Sequence, residues 1–297
     1  MKLAIFGRLT EKTDLNILGK FFAYLKKNQI GVLVYEPYAR QLIRQMPMLE
    51  QDDLGIFRTR EELSDCRFLY SFGGDGTVLE AGRFIGDLGL PILGVNFGRL
   101  GYLTSVTQAG LIESTEEIFR DLYRTDSRSL LTVVSDPPGL FGKTPFGIND
   151  LTIHKSKTNE MITVHTYING EYLNSYWGDG VLVATPTGST AYSLSCGGPI
   201  MFPRSATFAI TPIAPHSLTV RPVIISDDSV VSFEIESRSG EAMIALDTRS
   251  RLVNTRQAIA VRKADFQIQL VRTTNNKYVD NLRRSLMWGS DIRNSDR

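Results

Sequence analysis

Apolar residues follow two different periods along this chain, and the change of period divides it. Over roughly the first 125 residues, short apolar runs are separated by stretches with helical spacing. Lys2 to Phe6 reads as an opening strand, and Leu15, Leu18, Phe22 and Leu25 share one face of a helix that Asp14 is placed to cap. Gly31 to Tyr35 reads as a second buried strand, which Phe68 to Tyr70 and Pro91 to Val95 continue. Thr77 to Ala81 opens a helix with Val78, Leu79 and Phe84 inward, and Ile112 to Tyr123, carrying Ile118 and Leu122, has the spacing of another. Such alternation implies a parallel sheet.

Beyond Arg124 the runs become short, often alternating and rich in β-branched residues, as in Leu130 to Val134, Met161 to Ile168, Gly180 to Thr185 and Phe266 to Val271. Asn169-Gly170, between two such runs, predicts a type I′ hairpin. Leu282 and Leu286, four apart, predict a short closing helix that returns to the first domain. The expected architecture is an N-terminal three-layer α/β (Rossmann-like) domain over 1–125, a β-rich domain over 126–271, and a returning segment 272–297. No repeat or low-complexity stretch interrupts the chain, so the expected junction is tight rather than a long linker.

Composition narrows the function classes. The 297 residues carry 33 basic and 32 acidic side chains, a net charge of +1, with 42% hydrophobic and 22% charged residues. That balance gives no support for a nucleic-acid surface or an anionic-membrane surface. No apolar run approaches the ~20 residues that span a bilayer, so the expected location is cytoplasmic. Cys66 and Cys196 form no metal-ligand spacing, and His154, His165 and His216 are scattered, so no structural metal site is expected.

Three stretches carry chemistry. In Ser71-Phe72-Gly73-Gly74-Asp75-Gly76-Thr77 a carboxylate stands among glycines at a strand-to-helix turn. Such a turn offers free N–H groups to an anion, yet a carboxylate repels phosphate unless it takes a proton from an attacking hydroxyl or meets a metal ion. A tight turn and a catalytic turn both fit that pattern. Asp179-Gly180 runs into Thr185-Pro186-Thr187-Gly188-Ser189-Thr190, where hydroxyls suit a ribose or phosphate, or simply a helix cap. Asn149-Asp150, between Ile148 and Leu151, is costly to bury without partners and reads as a ligand contact or a plain turn. Arg99 is either a phosphate contact or a solvated loop residue.

Together these stretches resemble the NAD kinases of the ATP-dependent bacterial type. The likeness rests on Gly73 to Thr77, Asn149-Asp150, Asp179 through Ser193, and Pro212 through Pro222, and it covers most of the chain. It implies transfer of the ATP γ-phosphoryl group to the adenosine 2′-hydroxyl of NAD, at a site between the two domains. Asp75 then matches the general base, and Gly73, Gly74, Gly76 and Thr77 match the phosphate-binding turn. Asp75, Gly76, Tyr102, Asn149, Asp150, Thr190, Ala191, Tyr192, Ser193, Leu194, Ser195 and Ala214 match positions along the dinucleotide. Asp179 matches a carboxylate that reaches the dinucleotide from a neighbouring subunit, implying a homo-oligomer, dimer or tetramer, with a shared site. The implied cofactor is a divalent ion, Mg2+, carried mainly by ATP.

Two positions depart from the family pattern: Asp150, where Glu is commoner, and Asp247-Thr248-Arg249, where many relatives have Asp-Gly-Gln. The alternative is a diacylglycerol- or sphingosine-type lipid kinase, which shares the glycine motif but leaves the Thr185 to Ser195 block unexplained.

Overall fold

The computed structural model describes residues 2–46, 54–98, 101–273 and 278–288. The chain divides into two compact units, one running to Asp126 and resuming at Ile268, the other Ser127–Gln267. Unit one contains β1 (Lys2–Gly7), α1 (Leu15–Lys27), β2 (Gly31–Tyr35), α2 (Glu36–Gln45), β3 (Gly55–Phe57), β4 (Phe68–Gly73), α3 (Asp75–Ile85), β5 (Ile92–Asn96), β6 (Val106–Thr107) and α4 (Leu111–Phe119). The next strand, β7 (Tyr123–Asp136), carries the chain out of it.

The five main strands are parallel, in the order β3-β2-β1-β4-β5. Because the order reverses between β1 and β4, their C-terminal ends open a crevice of the kind that binds ligands in doubly wound sheets. Asp14 caps α1 as expected, its carboxylate accepting from the amides of Asn16 (2.9 Å) and Ile17 (3.2 Å). Leu18, Phe21, Phe22 and Leu25 of that helix join a core with Phe68, Tyr70 and Phe72 of β4. On the other face of the sheet Phe84 of α3 packs on Phe6 and Tyr35.

Two local expectations need correction, and one helix went unread. The Gly74 carbonyl accepts from the amides of Thr77 and Val78, so α3 begins at Asp75 rather than Thr77. Asp121 takes a left-handed backbone (φ 58°), which stops α4 at Phe119, leaves Leu122 half exposed and sends Tyr123 into β7. Helix α2 escaped the sequence reading because it follows β2 with no loop; Pro37 sits in its first turn and Tyr38, Ala39 and Leu42 are buried.

Unit two contains β8 (Phe146–Gly147), β9 (Asp150–Lys155), β10 (Ile162–Ile168), β11 (Glu171–Gly178), β12 (Gly180–Ala184), α5 (Tyr192–Ser195), β13 (Thr207–Ile213), β14 (Val223–Ser226), β15 (Val231–Glu236), β16 (Glu241–Leu246) and β17 (Arg249–Asn254). One antiparallel sheet has the order β14-β13-β12-β9-β16-β17. A second array, β11-β10-β15, ends on the first part of β18 (Ala258–Thr273), whose last residues return to unit one beside β5. Inward residues of both, among them Ile153, Val183, Ile210 and Ile244 facing Val164, Tyr176 and Phe233, make one core. The β10–β11 hairpin turns at Asn169 (φ 51°) and Gly170 (φ 85°), both left-handed as a type I′ turn requires. The closing helix, α6 (Tyr278–Ser285), belongs to unit one and buries Leu282.

Among the described residues no helix is long and apolar enough to cross a membrane, and no group of three His, Cys, Asp or Glu side chains is placed to hold a metal ion. Cys66 and Cys196 are free thiols.

Candidate functional site

In unit one the glycine turn that links β4 to α3 presents Asp75 at the first helical position. The adjacent segment after β5 folds over the carboxylate. Oδ1 accepts from the amides of Leu103 and Thr104 (both 3.1 Å) and from the Thr104 hydroxyl (3.3 Å), while among the described residues Oδ2 accepts only from the amide of Tyr102 (2.8 Å). Oδ2 therefore keeps a lone pair for a further donor. Thr104 is fully buried and Asn96 donates to its hydroxyl at 3.1 Å. A Cβ at Gly101 would run into the Asp75 carboxylate, so only glycine lets the backbone pass so close. Arg272 donates to the Tyr102 carbonyl at 3.0 Å, tying the segment down from its other end. Gly73, Gly74, Gly76 and Thr77 line a cavity of about 600 Å³. Arg99 lies outside the described residues.

Unit two arranges Asn149 and Asp150 differently. The pair opens β9, and its turn is held by Asp247, at the tip of the β16–β17 hairpin. The Asp247 carboxylate accepts from the amides of Ile148 (2.9 Å), Asn149 (2.7 Å) and Asp150 (3.3 Å). Asp150 itself is buried, and among the described residues its carboxyl receives only the Thr152 hydroxyl, at 3.3 Å. Burial, and then the neighbouring Asp247 charge, push its carboxyl up to about 7. Burial raises Asp247 as well, against the three amides that favour its charged form. Arg249 braces the approach to this turn, donating to the Thr144 carbonyl (2.7 Å) and the Phe146 carbonyl (2.8 Å) with its guanidinium over the Phe141 ring.

The serine- and threonine-rich block follows β12, which pairs with β9 so that Ala184 lies opposite Asp150. Thr185 donates its amide to the Asn149 carbonyl at 2.8 Å, and Gly188 packs so closely on Asn149 that a Cβ there would overlap the carbonyl. Thr190, Ala191, Tyr192, Leu194 and Ser195 are at least partly exposed on this turn. Ser193 is different: it is fully buried and its hydroxyl bonds Thr211 at 3.1 Å, so its side chain supports the turn from inside instead of lining it. Tyr192 feels both Asp179 and Asp150, whose charges, after burial and Cys196, push its phenol up.

Asp179 stands just beyond the far end of the ladder, where Gly180 lies opposite His154; it is five residues from Ala184, the partner of Asp150, or about 17 Å along the strand at 3.4 Å per residue. Its carboxylate is 2.6 Å from the Lys155 ammonium, and its amide bonds the Ile213 carbonyl, next to Ala214. Asp150 and Asp179 thus mark two ends of the β9–β12 ladder rather than one cluster.

The sequence reading missed Thr104, Asn96 and the clamping role of Asp247. Asn96 ends β5 and Thr104 lies in the loop before β6, and neither residue type marks its partner along the chain; Asp247 gave a signal, as a polar residue at a two-residue hairpin turn.

Residues 3–123 match the ATP-NAD kinase N-terminal domain and residues 148–273 the ATP-NAD kinase C-terminal domain. The chain is 42% identical over 294 residues to the NAD kinase of Cytophaga hutchinsonii, covering 99% of this chain and 100% of that one. It is 40% identical over 294 residues to that of Bacteroides fragilis, with the same coverage. Among solved structures it is similar in fold to yeast NADH kinase complexed with NADH (TM-score 0.84, 23% identity, 99% of this chain and 89% of that one). It is similar also to the Archaeoglobus fulgidus NAD kinase in complex with ATP (TM-score 0.70, 24% identity, 97% and 99%).

Proposed function

The chain belongs to the ATP-NAD kinase family and is an ATP-dependent NAD kinase; from that premise we propose how its residues divide the reaction. The observation that carries the proposal is the lone pair left on Asp75 Oδ2 beside a glycine turn that opens into a cavity. Asp75 takes the proton of the adenosine 2′-hydroxyl as that oxygen bonds to the γ-phosphorus. The bond from phosphorus to the β–γ bridging oxygen breaks, and ADP leaves. Gly73, Gly74, Gly76 and Thr77 receive donor phosphates. Asn149 and Asp150 hold the adenosine ribose, and Tyr102, Thr190, Ala191, Tyr192, Leu194, Ser195 and Ala214 line the dinucleotide. A divalent ion, Mg2+, carried by ATP, would offset the phosphate charge. The two family matches favour this reading over a lipid kinase. With ATP and NAD as substrates and both cysteines free, the proposed location is the cytoplasm.

The test is to mix purified protein, ATP, Mg2+ and NAD and read NADP with an NADP-specific dehydrogenase. Formation of no NADP would overturn the reading.

A homo-oligomer sharing its sites is part of the proposal. Asp179, with a third of its side chain exposed, and the exposed Trp177 and Leu218 support it. Asp75→Ala and Asp179→Ala proteins are each expected to be weak, while a co-refolded equal mixture regains about one intact site in four under two-fold pairing. A mixture no better than the mean of its parents would place both carboxylates of a site in one chain.

A further inference from the structure

The cavity beside the glycine turn has a second wall that neither the motif nor the family match explains. It is built by the β1–α1 loop, which contributes Arg8, Thr10, Glu11 and Lys12, while Asn96 to Gly98 close the far side. The cavity lies where β1 and β4 diverge, the crevice expected to bind ligand in this strand order. Gln108 fixes the loop, donating to the Lys12 carbonyl (2.9 Å) and accepting from the Asp14 amide (2.7 Å). Lys12 is exposed, passes over Gly98 and has no ion-pair partner among the described residues. Arg8 has only a long, exposed contact with Glu80, at 3.5 Å.

Two further features of this cavity fit an anion. Thr77 is 6% exposed and lines it, yet its hydroxyl makes no hydrogen bond among the described residues. The first turn of α3 leaves amides without intrahelical partners at the same place. An unused hydroxyl, helix amides and two cations facing one space call for a ligand with several negative oxygens. Glu11 and Glu80 would by themselves make the space repel such a ligand, so the cations decide its sign.

The geometry points to Lys12, assisted by Arg8, as the cationic clamp for the polyphosphate tail of the phosphoryl donor, opposite the glycine turn. This rests on the kinase reading above and adds to it two residues that set donor affinity. Both line the cavity of the proposed donor turn and neither is among the residues proposed to hold the acceptor, so their effect is expected on one substrate.

The test compares wild type with Lys12→Met, Arg8→Met and Lys12→Arg. Lys12→Met is expected to raise KM for ATP about 10- to 100-fold, the range for one hydrogen bond to a charged group, with KM for NAD within about twofold. Arg8→Met should have a smaller effect in the same direction, and Lys12→Arg should recover most of the loss. Calorimetric titration with inorganic tripolyphosphate supplies a readout free of turnover: wild type binds it and Lys12→Met binds it at least about tenfold more weakly. An unchanged KM for ATP, or equal tripolyphosphate affinity in Lys12→Met, overturns the clamp. If wild type makes no NADP the kinase reading falls instead, while a tripolyphosphate loss confined to the variants still upholds the anion site.

Discussion

Asp75 and Asp150 both begin a regular element beside a turn, one in each unit, and they are satisfied in opposite ways. Asp75 is partly exposed and its carboxylate collects three backbone amides and a hydroxyl, so it holds the 102–104 segment itself. Asp150 is buried with one hydroxyl donor, because the three amides of its own turn are taken by Asp247. In unit one a single carboxylate both braces the loop and keeps an oxygen for a further donor. In unit two those tasks fall to two residues. The lesson is that donors, not residue type, decide what a carboxylate does here: Asp75 and Asp247 each gather three amides and hold a segment, while Asp150, buried beside the Asp247 charge, is pushed toward its neutral form.

The sharpest way to break that comparison is at Asp75, where both tasks are lost together. Asp75→Ala should lower kcat by about 10² to 10⁴, the usual worth of a positioned base, and should also speed amide exchange at 102–104. Asp75→Asn is no clean control here. Its NH2 group would face either the Oδ1 donors or the Tyr102 amide, so it too should loosen the segment. Slow exchange in a variant that has lost turnover would separate chemistry from bracing.

Unit two should show the tasks apart. Asp247→Ala orphans three amides and should destabilise the protein by about 2–4 kcal/mol in denaturant unfolding while raising KM for NAD and leaving KM for ATP. Unchanged stability would mean that the turn holds without its clamp.

Asp150 should report through pH. Its carboxyl, raised to about 7, is neutral below that value, and in the proposed ribose role a neutral carboxyl accepts hydroxyls poorly, so KM for NAD should fall several-fold between pH 6 and pH 8. Asp150→Asn should raise KM and flatten that profile. A profile that keeps its slope in Asp150→Asn would assign the titration to another group.

The smallest expected effect is on stability. A carboxyl raised in the folded state contributes stability that is full below the ordinary carboxylate range and lost as pH rises through about 7. Asp150→Asn should therefore raise Tm by about 2–6 °C at pH 8 and leave it nearly unchanged at pH 4. An equal gain at both values would trace it to packing instead.

Much of this was legible in one dimension. The Asp14 cap, the buried stripe of α1, the Asn169-Gly170 turn and the glycine turn at Asp75 all depend on residues within a few positions of one another, so spacing alone announces them. Local signals failed where a chain neighbour competed: Asp121 ended α4 early despite the helical spacing up to Leu122.

The sequence by itself determined the two periods, the elements they build and the family motif, since these follow from backbone preference and the facing of side chains. Only the tertiary structure decided which carboxylate each set of amides would satisfy. Asp247 reaches a turn 97 residues away, Lys12 lines the same cavity as the glycine turn through the strand order, and Ser193 turns inward to Thr211. Those pairings form when distant strands come into register, and a hydrogen bond between remote segments leaves no period along the chain to read.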